Sequence, residues 1–306
     1  MSTTLLPVGF ALFCWWFGTG IVFLLERAMR QRRQRAIAGI GVMGALSLLG
    51  IVESCQVAHD SGAYLAFASS IGLWGALELS FLTGLITGRR VPSCDRDCRG
   101  WRHFGHAVQA LLYHELALAF FALAVVAICW NQPNPTAACT YGLLWVMRES
   151  AKLNLFLGVR NTAVELLPER LAHLARYFGK NHINLLLPLS VVAASIGDIL
   201  LVRHALAESA TNQDRVAGLL LATLLALAIV EHLVLVLPVR ADALWTWATR
   251  RSNAKAGPPL GGASHLASFE PDSAGSVVGA ARATGMVPIG PAEAAHPPPM
   301  PPGAPA

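Results

Sequence analysis

Ten ionisable side chains fall inside long apolar runs of this sequence: Glu53, Glu78, His114, Glu115, Arg148, Glu149, Lys152, Asp198, Glu231 and His232. Inserting such a group at the centre of a membrane helix costs about 2.5–3.5 kcal/mol on the translocon scale, so each needs a partner or a purpose. Three purposes fit these residue types. They can tie helices together as a salt-bridge and hydrogen-bond network. They can line a pocket for a pigment or substrate. They can also ligate a metal, with Glu78, His114, Glu115, Glu231 and His232 as weak candidates. Spacing speaks against the metal: His114–Glu115 and Glu231–His232 are adjacent pairs, and neighbours on a helix point about 100° apart. Carboxylate-bridged metal sites in bundles use Glu-x-x-His instead, a spacing absent from these spans.

The elements that must position these groups are membrane helices. A span takes about 20 apolar residues, and the sequence supplies seven such runs, at approximately 5–25, 36–58, 62–88, 103–130, 137–159, 182–206 and 214–239. No barrel-type alternation is present, so the fold class is an all-α polytopic transmembrane bundle. Basic residues crowd alternate connectors: Arg27, Arg30, Arg32, Arg33 and Arg35 in the first, Arg89, Arg90, Arg96, Arg99 and Arg102 in the third. Arg160, Arg170, Arg176 and Lys180 follow the fifth span, and Arg240, Arg250, Arg251 and Lys255 follow the seventh. The connectors between them, His59–Ser61, Asn131–Thr136 and Glu208–Gln213, hold no Lys or Arg. The positive-inside rule therefore puts the N-terminus in the periplasm and the C-terminus in the cytoplasm.

Counting about 1.5 Å per residue from the cytoplasmic end of each span places Glu78, His114, Glu115, Arg148, Glu149, Lys152, Glu231 and His232 roughly 10 to 17 Å deep. They form one layer in the cytoplasmic half, and Asn154 follows Lys152 by two residues in the same span. Glu53 and Asp198 lie nearer the outer surface. Four carboxylates in the layer face Arg148 and Lys152, a formal deficit of two. Protonated carboxyls, protonated histidines or a divalent cation would each repair it. Along the fifth span, Lys152 is three residues from Glu149 and four from Arg148, within reach on one helix.

Composition agrees with lipid as the main solvent. Apolar residues make up 54% and charged residues 13% of 306, about half the charged share of a soluble domain, and mean hydropathy is +0.51. The net charge of +5 lies in short connectors with no interleaved aromatics, which excludes a nucleic-acid surface. Six scattered cysteines do not read as a disulfide framework, and Cys94-x-x-x-Cys98 lacks the second pair of a zinc site. The first apolar run is too long for a signal h-region and lacks a cleavage site. Trp15 and Trp16 lie mid-span and read as packing. No P-loop, dinucleotide fingerprint, serine elbow or zinc-protease motif occurs, which weighs against those enzyme classes. Residues 164–178 are amphipathic and read as a helix on the cytoplasmic surface. The transmembrane domain thus covers 1–251, and 252–306, rich in Ala, Gly and Pro, reads as a disordered cytoplasmic tail.

The segments CWWFGTG (Cys14 to Gly20), LWGALELSFLTGLITG (Leu73 to Gly88), LLYHELAL (Leu111 to Leu118), LLWVMRESAKLNLFLGVRN (Leu143 to Asn161), ELLPERLAHL (Glu165 to Leu174), ALAIVEHLVLVLP (Ala226 to Pro238) and ALWTW (Ala243 to Trp247) resemble the photosynthetic complex assembly proteins of the PuhE type from phototrophic purple bacteria. The resemblance spans nearly all of residues 10 to 250 and leaves out the tail. It implies a non-enzymatic factor that assembles the photosynthetic reaction centre and its core light-harvesting complex, or regulates supply of bacteriochlorophyll to them. The expected location is the bacterial inner membrane or the intracytoplasmic photosynthetic membrane (the chromatophore). Implied partners are reaction-centre or light-harvesting subunits or their assembly factors, together with membrane lipid. Bacteriochlorophyll or a precursor is the implied pigment, with His114 or His232 as its axial ligand. The competing expectation is an intramembrane enzyme or transporter acting on a tetrapyrrole or quinone through the buried Glu and His residues.

Overall fold

A computed structural model describes residues 2–29, 32–88, 98, 100–162, 164 and 167–237, all within one compact unit, Met1–Ser252. The tail from 252 to 306, the ALWTW motif, Cys94 and nine of the basic connector residues (Arg30, Arg89, Arg90, Arg96, Arg99, Arg240, Arg250, Arg251 and Lys255) lie outside the described residues.

Seven long helices account for the bundle: α1 Ser2–Met29, α2 Arg33–Cys55, α3 Asp60–Leu82, α4 Gly100–Cys129, α5 Thr136–Leu157, α6 Leu186–Ala205 and α7 Asn212–Val234. A 3-10 helix, Glu169–Tyr177, stands between α5 and α6. Among the described residues there is no strand. Six of the helices are long and apolar enough to cross a membrane, which makes this a multi-pass membrane protein. The seventh, α5, is 22 residues long and falls short in apolarity, because it carries Arg148, Glu149 and Lys152 in its second half.

Short connections (56–59, 130–135 and 206–211) reverse the chain between α2 and α3, α4 and α5, and α6 and α7. At one end, Asn134 in the α4–α5 turn is fully buried. Its backbone N–H donates to Cys55 O (3.2 Å), its side-chain amide donates to Ser54 O (2.9 Å), and its Oδ1 accepts from Thr136 N–H (3.2 Å). One side chain thus closes the C-terminus of α2 and opens α5. The opposite end gathers the last turns of α1, α3, α5 and α7. There the Asn161 backbone N–H donates to Leu235 O (2.8 Å), and Arg170 pairs with Glu26 of α1 (3.7 Å) and donates to Thr83 O at the end of α3.

α3 and α7 are the central helices: half of each apolar window is buried, against 11–17% for α1, α2, α4 and α6. Ile51, Leu73, Leu118, Val125 and Tyr141 pack between α2, α3, α4 and α5. Ala11, Phe67, Leu220 and Leu224 join α1, α3 and α7. Small residues let α2 and α3 approach closely: a Cβ on Gly72 would lie 2.6 Å from Ser47 Oγ. Close contact through small side chains is how membrane helices gain packing energy where lipid removes the hydrophobic drive.

Two expected boundaries shift. The third span ends at Leu82 rather than 88, because Thr83 turns its hydroxyl back onto Leu79 O (2.7 Å) and Gly84 takes φ +73°, which stops a helix. The amphipathic segment is a 3-10 helix over Glu169–Tyr177. With three residues per turn, Leu171, Leu174 and Tyr177 line up on one side and pack against Phe81 and Ala110.

Candidate functional site

The sequence places eight of the candidate residues in a single layer; the structure sorts that layer into three groups on different helix contacts. The first joins α3, α4 and α5. Arg148 meets Glu78 across the α3–α5 contact, Nε to Oε1 at 3.3 Å and a terminal nitrogen to Oε2 at 3.5 Å. Lys152, one turn on, donates to Glu115 of α4 at 2.5 Å and to Glu149 of its own helix at 2.6 Å. The expected reach between Glu149 and Lys152 is therefore used, whereas Arg148 turns away to α3. Three carboxylates share two cations here, so the group keeps one formal negative charge in excess. His114 completes it: its side chain is 2% exposed, its ring lies 4.6 Å from that of Phe81, and its Nδ1 is buried with no hydrogen-bond partner.

The second group is a pair. Trp15 Nε1 donates to Glu231 Oε1 at 2.9 Å, linking α1 to α7. Reading Trp15 as packing alone was incomplete, because a pairing across 216 residues leaves no local trace.

The third group runs through α5, α6 and α7. His232, 1% exposed, places Nδ1 2.8 Å from Ala228 O and Nε2 3.0 Å from Ser150 Oγ. Ser150 donates to Ser190 Oγ (2.9 Å), and Ser190 donates to Leu186 O (2.8 Å). Asn154, fully buried, donates to Ser150 O (2.9 Å), and Asn184 donates to the carbonyls of Asn154 (3.3 Å) and Gly158 (2.9 Å). Both nitrogens of His232 are engaged, so this strip holds helices together. Ser150 and Ser190 were not legible as site residues, since serine is common in membrane helices and carries no charge to flag it.

A pocket of ≈ 170 Å³ opens beside the first group. Its polar edge is Glu78, His114, Glu115, Arg148 and Lys152. Phe81 of α3, Leu111 of α4, and Ala151, Leu155 and Phe156 of α5 supply apolar wall. Leu174, Tyr177 and Phe178, at the end of the 3-10 segment, form a third side. Glu231 and His232 do not line it. Among the described residues no three His, Cys, Asp or Glu side chains converge as a metal site would need. Cys98 is a free thiol with Sγ 3.4 Å from His106 Nδ1. Asp198 of α6 keeps one buried, unpartnered oxygen and stays apart from all three groups.

Against known proteins, residues 1–256 match a family described as "Protein of unknown function (DUF3623)". An uncharacterized 30.4 kDa protein in the puhA 5′ region of Rhodobacter capsulatus is 36% identical over 242 residues, covering 77% of this chain and 87% of that protein. No solved structure matches. The chain belongs to the DUF3623 family.

Proposed function

We propose that this DUF3623 protein is a membrane-embedded assembly factor for the photosynthetic reaction centre and its core light-harvesting complex, acting on the supply of bacteriochlorophyll or of pigment-bearing subunits. The observation that carries this is the relative, whose printed name sets it in the puhA 5′ region. The motifs resembling assembly proteins of the PuhE type point the same way. The proposed location is the bacterial inner or intracytoplasmic photosynthetic membrane. The N-terminus is proposed to be periplasmic, because Arg27, Arg32, Arg33, Arg35, Arg102, Arg160, Arg170, Arg176 and Lys180 gather at the end where α1, α3 and α5 finish. Among the described residues, only Arg203 and Arg215, in the last turn of α6 and the first of α7, lie at the other end.

The site bears on how pigment would be handled. A cavity of about 150 Å³ is enough for benzene, so a pocket of ≈ 170 Å³ takes one ring and does not enclose a tetrapyrrole. His232 has no nitrogen to offer a chlorin magnesium. In this reading, bacteriochlorophyll is met at a surface shared with a partner subunit, and the protein acts by escorting subunits rather than by storing pigment. The test is deletion of the gene in a phototrophic host and complementation with the intact chain. Near-infrared absorption should show reaction centre and core antenna reduced several-fold in the deletion strain and restored on complementation. Unchanged complexes in the deletion strain would overturn the assembly role.

A further inference from the structure

We propose that the pocket between α3, α4, α5 and the 3-10 segment binds the headgroup of a membrane quinone, a neutral single-ring compound bearing two carbonyl oxygens.

Four observations select that chemistry. The first is size: ≈ 170 Å³ suits one substituted six-membered ring. The second is the wall. Phe81, Phe156, Tyr177 and Phe178 line the pocket beside the His114 imidazole, and aromatic faces and edges favour a planar ring. The third is charge. The charged lining is balanced, Glu78 and Glu115 against Arg148 and Lys152, so a neutral ligand leaves it balanced whereas a carboxylate or phosphate would bring an unmatched charge into a poorly solvated site. The fourth is the balance of donors and acceptors. A guanidinium has five N–H donors and an ammonium three. Arg148 uses two nitrogens on Glu78, and Lys152 makes two bonds to carboxylates. Both residues line the pocket with N–H groups to spare, so the complementary ligand is an acceptor, as a carbonyl oxygen is.

His114 strengthens the case. A buried polar nitrogen without a partner is destabilising, and His114, which lines the pocket, carries such an atom in Nδ1. A rotation of the imidazole toward the pocket would offer that nitrogen to a ring carbonyl or hydroxyl. Two of the walls, α3 and α4, belong to helices apolar enough to cross a membrane, which fits a lipid-soluble ligand, and the pocket is partly open, which leaves its tail a way out. No electron transfer is required: the inference is of binding alone. It rests on the pocket and not on the assembly role, so either can fail without the other.

The experiment uses the full chain purified from native membranes in mild detergent. Quinone extracted from it is quantified by mass spectrometry per mole of protein, and the depleted protein is titrated with decylubiquinone. Near-stoichiometric quinone and saturable binding are expected. Ala151→Phe, which fills the pocket, should cut occupancy at least tenfold. An azido-quinone photolabel on the unaltered chain gives a second measurement that does not depend on the variant folding: label should fall within residues 78–178. Absence of saturable binding, a folded Ala151→Phe protein that binds as before, label confined to other segments, or phospholipid recovered in place of quinone would each overturn the proposal.

Discussion

Lys152 donates to two carboxylates from two helices, Glu115 at 2.5 Å and Glu149 at 2.6 Å. Replacing it with methionine keeps the stem and removes the charge, leaving two like charges facing each other in a poorly solvated site. The pair is part-buried, so breaking it from one side should cost about 1–3 kcal/mol, the range for a hydrogen bond to a charged group. Lys152→Met should lower the thermal midpoint in detergent by several degrees, whereas the double change Lys152→Met with Glu115→Gln should recover part of the loss. A double variant no better than the single one would show that the pair does not couple. The sequence showed that these residues share a depth but not which way each faces. Glu149 and Lys152 were readable as partners because they share a helix. Arg148–Glu78 and Trp15–Glu231 lie 70 and 216 residues apart, and their pairing depends on how whole helices are rotated.

At the scale of elements, the C-terminus of α5 is tightly constrained. Gly158 has φ +106°, a Cβ there would lie 2.6 Å from the Asn181 backbone nitrogen, and the nearby carbonyls are taken by Asn181 (Leu157 O, 3.1 Å) and Asn184 (Gly158 O, 2.9 Å). Gly158→Ala combines a left-handed backbone with a backbone clash and should cost about 2–3 kcal/mol, read as a lower thermal midpoint and lower yield. Gly142→Ala, on the same helix with nothing within 4 Å of the added carbon, should be neutral or mildly stabilising. Seven helices were legible from apolar runs alone. The winding of the segment over the pocket was not, because amphipathicity over nine residues reads much the same at 3.0 and 3.6 residues per turn.

For the whole molecule, the proposed orientation rests on charge and parity. Seven crossings, with α5 carried across beside the six apolar helices, would put the two ends of the bundle's chain on opposite sides, and the clustered arginines would then assign the side. A reporter that is active only in the periplasm should give signal when fused in the α4–α5 turn near Gln132 and none when fused at Lys180; the reverse pattern would invert the assignment. That turn and that end are the two places where asparagines close helix termini, Asn134 on one side and Asn161, Asn181 and Asn184 on the other.

Every wall of the pocket comes from the stretch Glu78 to Phe178. In the order of synthesis, its lining is therefore complete before α6 and α7 have emerged. The late hairpin arrives behind it, fastening α5 through Ser190 and His232. A lipid-soluble molecule in the membrane can thus meet all the groups that would hold it while the chain is still being inserted, and the final two helices then lock the arrangement in place.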